Sequence, residues 1–228
     1  MSPKDTIPVT RLRNQPPAQA GGIGRRAILQ TLVGGVGAAI ALPVAEAHPV
    51  HRHLADEGTV AQADTKAAAA EYKPEFLDAH QIETLDVIAE RIVPGSAETH
   101  AAEFIDQLLA VDAQASQQAF LSSLGAFEMH ATERFGRPWK TVTPEQQNEL
   151  LTEASTAQSG RQAPANVDPR GLPPPSGKTT IRDHFENLKG WVSGAYYSSE
   201  KGMRELGWTG EMFFETFPGC EHGGGHLG

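Results

Sequence analysis

Cysteine is almost absent from this 228-residue chain; Cys220 is the single one. An iron–sulfur cluster or a c-type haem held by this chain alone needs two to four thiols, so both are excluded. A lone thiol in an exported chain has two fates, a free or buried thiol or an intermolecular disulfide. Long apolar runs are also missing. The longest, Leu32-Val33-Gly34-Gly35-Val36-Gly37-Ala38-Ala39-Ile40-Ala41-Leu42, is about half the roughly 20 residues of a spanning helix. Its glycines each lower helix propensity by about 1 kcal/mol relative to alanine. Basic residues are outnumbered, 19 against 28 acidic, for a net charge of −9. Five of the basic and two of the acidic residues fall in the first 47, which leaves 14 basic against 26 acidic in the remainder. An acidic body argues against nucleic acid and anionic lipid as partners and leaves a protein partner open. No segment alternates apolar and polar residues, so no sheet is expected. No Gly-x-Ser-x-Gly elbow occurs. Gly21-Gly22-Ile23-Gly24 follows no strand, so it is not a dinucleotide loop.

What is present begins with Arg25-Arg26 ahead of that short apolar run. Pro43 ends the run, and Ala45-Glu46-Ala47 supplies small residues at the −3 and −1 positions of a signal-peptidase site. A charged start, an apolar middle and an Ala-x-Ala end make an export signal. The arginine pair narrows it to the twin-arginine class, whose route carries folded proteins. Arg25, Arg26, Ala45 and Ala47 are its defining residues. The expected organisation is a signal with a disordered leader over 1–47, a flexible tether over 48–75, and a helical domain over 76–228. The tether is expected to hold at most a helical turn near Ala67–Ala70.

The domain reads as all-α, a small irregular bundle. Asp78 and Gln81 form a capping box, with Leu77 and Ile82 placed as a hydrophobic staple. Ile82, Leu85, Ile88, Ala89 and Ile92 then recur at helical spacing until Pro94-Gly95 stops the helix. Further helices are expected over His100–Val111 and Ser116–Phe135, the latter ended by Gly136-Arg137-Pro138. Thr143, Pro144 and Gln146 announce another short helix, and Thr180–Tyr197 carries the last strong stripe. Between them, residues 155–178 hold five prolines and read as a long loop rich in proline and glycine. The acidic residues Asp78, Asp86, Glu90 and Glu103 read as wet helix faces. The tail after Ser198 is extended and aromatic, with Trp208, Phe213, Phe214 and Phe217. Such a tail packs on its own helices or on another protein.

Catalytic chemistry is hard to find. His48, His51 and His53 follow the cleavage site, and His222 and His226 flank three glycines. A metal site needs three or four converging ligands with support behind them, and these stretches offer none, so no metal, cofactor or catalytic residue is assigned. A nucleophilic Cys220 would need a base or a helix N-terminus beside it, and Pro218-Gly219 gives no sign of one. An inter-subunit disulfide is the functional reading preferred for Cys220. With Trp208, Phe213, Phe214, Phe217 and Pro218 it makes the candidate partner-binding set.

Several stretches together resemble a known family. They are Phe76-Leu77 with Leu85, Ile88 and Ile92-Val93-Pro94-Gly95; Ala102-Glu103-Phe104-Ile105-Asp106-Gln107-Leu108-Leu109; and Thr143-Pro144-Glu145-Gln146-Gln147. At the end come Gly202, Leu206-Gly207-Trp208-Thr209-Gly210 and Phe217-Pro218-Gly219-Cys220-Glu221-His222. In this order, behind a twin-arginine signal, they resemble the gluconate 2-dehydrogenase subunit 3 family. The resemblance implies a small non-catalytic subunit that binds a large FAD-dependent dehydrogenase of the glucose-methanol-choline (GMC) type. It implies a multihaem cytochrome c subunit as electron acceptor, with FAD and haem c in those partners and no cofactor in this chain. It also implies export of the folded catalytic subunit through the twin-arginine translocase, periplasmic location, and membrane association through the partners. The alternative left open is a stand-alone periplasmic enzyme or metal-binding protein using Cys220 and the nearby histidines.

Overall fold

The structure is a computed structural model that describes residues 49–53, 56–160 and 178–209. Among these residues it is helical, with seven α-helices and no strand. The helices are α1 (Glu57–Ala67), α2 (Ala79–Ile92), α3 (Ala101–Ala110), α4 (Gln114–Phe135), α5 (Pro144–Thr156), α6 (Ile181–Tyr197) and α7 (Glu200–Glu205). Short 3₁₀ turns lie at Pro49–His53, Ala97–Thr99 and Trp139–Thr141.

Local chemistry sets most helix ends. Asp78 accepts the Gln81 amide at 2.8 Å, and the Gln81 side chain returns to the Asp78 amide at 2.9 Å. Thr143 and Gln146 repeat this reciprocal box at α5, with Pro144 at the first helical position. Gly136, at φ 69°, ends α4 in the left-handed conformation that glycine adopts without strain. These three boundaries agree with the sequence reading.

The centre is α3, which is buried nearly all round: Ala101, Ala102 and every residue from Phe104 to Leu109 are buried. A helix buried on nearly all sides belongs in the middle of a bundle. It packs against α1, α2 and α6, while α6 also meets α4, α5, α7 and the Pro49–His53 turn. Between α4 and its neighbours, the Phe120 ring stands edge-on to Trp191 at 5.8 Å and Phe127 edge-on to Trp139 at 5.4 Å. Burial of side chains of this size contributes about 1.5–3 kcal/mol each.

Three expectations change. The 48–75 stretch is not simply a tether, because α1 lies within it. Asp56 caps α1 by accepting the amides of Gly58 and Thr59, and Val60, Ala63 and Ala67 are buried in the main core. The stripe was hard to see because two of its three members are alanines. Residue 155 does not begin the loop; α5 continues to Thr156, and residues 161–177 of the proline-rich stretch lie outside the described residues. The tail is not extended from its start, since Ser199 caps the short helix α7 by accepting the Gly202 amide at 3.2 Å.

Candidate functional site

The Phe104-Ile105-Asp106 stretch on α3 holds a carboxylate with no exposed surface. Asp106 Oδ1 accepts the amides of Phe76 at 3.0 Å and Leu77 at 2.6 Å. Its Oδ2 accepts the Glu75 amide at 2.7 Å and the Tyr72 hydroxyl at 2.5 Å. Gln107 donates to the same Tyr72 oxygen at 3.3 Å. Burial, and then the Asp106 carboxylate, push the Tyr72 pKa well above its ordinary value, so the phenol stays a donor. One buried carboxyl group thus fixes the segment that links α1 to α2.

Glu90 does similar work at the end of α2. It accepts the amides of Gly95 at 2.9 Å and Ala97 at 3.2 Å. Burial opposes its charge, but these donors and Ser96 hold its pKa below the ordinary range. Glu90 is therefore a turn-forming residue and not merely part of a wet face. The turn that it fixes carries Gly95 at φ 90°, and a Cβ there would meet Lys201 Nζ at 2.7 Å. Lys201 pairs with Glu98 at 2.7 Å and the buried Tyr196 donates to Glu205 at 2.6 Å, so α7 is fastened to both the turn and α6.

On the other side of α6, Gly190 and Gly194 admit the Pro49–His53 turn. A Cβ on Gly190 would lie 3.2 Å from Pro49 Cδ, and one on Gly194 would lie 2.8 Å from Val50 Cγ2. Arg52 places its guanidinium 5.6 Å from the Trp191 ring centroid and its Nη2 3.2 Å from Asp112. His53 Nε2 is 3.6 Å from the same carboxylate oxygen. Burial lowers the His53 pKa below its ordinary value, against the pull of Asp112.

Asp183, in the first turn of α6, joins the two sides of the proline-rich stretch. It accepts the Ser159 hydroxyl, the Gly160 amide at 3.0 Å and the Thr180 amide at 2.7 Å. Burial favours its neutral form, yet these hydrogen bonds together hold its pKa far below the ordinary carboxylate range. Nearby, the end of α2 and the facing sides of α5 and α6 enclose an open groove of about 450 Å³. Ile92, Val93, Leu151 and Phe185 give it apolar lining, and Arg91 and Lys189 add cations. Lys189 lies 5.4 Å from the Phe185 ring centroid and pairs with Glu186.

Of the signal and partner-binding residues assigned from sequence, Trp208 alone is among those described. It is 4% exposed and clusters with Met203 of α7, so it packs on its own chain. Arg25, Arg26, Ala45, Ala47, Phe213, Phe214, Phe217, Pro218 and Cys220 lie outside the described residues. Sequence reasoning missed Asp106 and Asp183 as clamps, and it missed the groove. Asp106 had one signal, an acid set between the apolar pairs Phe104-Ile105 and Leu108-Leu109. Among the described residues, no group of three or more His, Cys, Asp or Glu could hold a metal ion. None of the described helices is long and apolar enough to cross a membrane.

The described residues thus define a small all-α bundle with clamped turns and an open groove beside its central helices. Residues 79–216 match gluconate 2-dehydrogenase subunit 3, which is more than half of the chain, and the chain belongs to that family. The match begins at the first residue of α2 and runs past α7. No curated protein and no solved structure shows significant similarity to the chain.

Proposed function

We propose that this chain is the accessory subunit of a periplasmic, FAD-dependent dehydrogenase complex of the gluconate 2-dehydrogenase type. It binds the folded GMC-type catalytic subunit, carries it through the twin-arginine translocase and then stabilises it. FAD belongs to that catalytic partner, and haem c to a multihaem cytochrome subunit that receives the electrons. The single cysteine supports this division, because one thiol cannot attach a c-type haem. The clamps support it too: the carboxylates of Asp106, Glu90 and Asp183 are engaged by backbone amides of this chain. Cys220 is assigned to the joint between the subunits, as an inter-subunit disulfide.

The observation that carries the reading is Arg25-Arg26 ahead of a short apolar run, in a chain whose family is a dehydrogenase subunit. The test is the double substitution Arg25→Lys, Arg26→Lys, with cell fractions probed for both subunits. The expected result is retention of both in the cytoplasm and loss of periplasmic dye-linked dehydrogenase activity. A catalytic subunit that still reaches the periplasm would overturn the escort role. Non-reducing gels of the purified complex, with and without Cys220→Ser, test the disulfide separately.

A further inference from the structure

Two features have no part in that reading: the groove beside α5 and α6, and the aromatic run beyond Thr209. Their chemistries are complementary. Residues 210–228 contain Phe213, Phe214 and Phe217 with Glu211, Glu215 and Glu221, and no lysine or arginine. The groove offers Ile92, Val93, Leu151 and Phe185 among polar residues, beside the cations Arg91 and Lys189, the latter already paired with Glu186. An acidic aromatic segment therefore matches it in both polarity and charge.

The tail also starts in reach. Helix α7 folds directly back on the end of α6, so that a Cβ on Gly202 would meet the Tyr196 carbonyl oxygen at 2.4 Å. The next residue, Tyr197, lines the groove. Lys201 lies against Gly95, two residues beyond Val93 of the same groove. Six helical residues rise only about 9 Å, and the seven residues 210–216 can span up to about 23–25 Å. The family match extends to residue 216, so Phe213 and Phe214 fall within the region shared with the family and not in an appendage.

We propose that the segment 211–217 of the same chain docks in this groove. Phe213 and Phe214 cover Ile92, Val93, Leu151 and Phe185, while Glu211 and Glu215, four residues apart, face Arg91 and Lys189. Cys220 then emerges just past the groove, held near one edge of the bundle. This inference does not rest on the escort role, and neither fails with the other.

The unique cysteine makes the test direct. A nitroxide is attached to Cys220 of the full, ¹⁵N-labelled chain, and amide signals are compared with those of the reduced label. The expected result is loss of the Arg91, Thr152 and Ser193 signals, with the amides of α1 unchanged. In the exposed charge-reversal pair Arg91→Glu, Lys189→Glu those signals return, and adding Glu211→Lys, Glu215→Lys removes them again. Groove signals that persist in the unaltered chain overturn the proposal and leave the groove to a partner. Signal loss spread evenly over all faces overturns it as well. Loss in a mixture of spin-labelled ¹⁴N chain and unlabelled ¹⁵N chain overturns it in favour of a second copy.

Discussion

The Asp106 carboxylate and the Leu77 amide, 29 residues apart in sequence, meet at 2.6 Å inside the bundle. The same carboxylate holds the amides of Glu75 and Phe76 and the Tyr72 hydroxyl. Asp106→Ala leaves these donors without their acceptor in a buried place. Its expected cost is about 3–5 kcal/mol, and Asp106→Asn, which keeps one carbonyl oxygen, is expected to cost about 2 kcal/mol. Urea unfolding at neutral pH measures both. An alanine variant as stable as the parent would show that the clamp contributes nothing.

The Asp183 clamp predicts a dependence on pH. Its folded-state pKa is depressed below the ordinary aspartate value of 3.8. The sign follows: the contribution is fully present above the unfolded value, shrinks as pH falls below about 4, and is lost as pH passes the folded value. Asp183→Asn is therefore expected to lower the urea midpoint most at pH 7 and by less at pH 3, where the loss has only begun. An equal gap at the two values of pH would mean that the carboxylate charge is not what the Ser159, Gly160 and Thr180 donors stabilise.

Gly202 predicts a change that tryptophan emission can report. A Cβ there would sit 2.4 Å from the Tyr196 carbonyl oxygen, a backbone atom that cannot turn aside. Gly202→Ala is expected to lift α7 from α6 at a cost of about 1–3 kcal/mol. Trp208 would gain exposure with it, whereas Trp139 and Trp191 are buried in the main core and would not. The expected signature is a red shift of emission in the folded protein, absent when Trp208→Phe is added. No shift would place the adjustment elsewhere.

How much could be read in advance follows the reach of each interaction. The Asp78–Gln81 and Thr143–Gln146 boxes act over three residues, so the sequence displays them whole. Gly136 ends α4 by its own backbone freedom. The stripe of α1 is small side chains, Val60, Ala63 and Ala67, whose burial depends on close approach to α3 and not on a conspicuous apolar pattern. Glu90 looked like a solvated face because its partners, Gly95 and Ala97, come into range only once the turn forms. Asp106 binds donors 29 to 34 residues upstream, and no periodicity marks such a pairing. The groove draws its lining from α2, α5 and α6, which meet only in the fold.

The contact of Pro49 and Val50 with Gly190 and Gly194 has a mechanical meaning. Pro49 stands two residues after Ala47 in sequence. Tension applied to the chain ahead of Pro49 is thus delivered to the middle of α6, beside the buried Trp191 and Val192, and not to a frayed end. The bundle is gripped near its core by its own leading segment. A pull that would peel a terminal helix away from most small domains is here shared across the helix that touches α3, α4, α5 and α7.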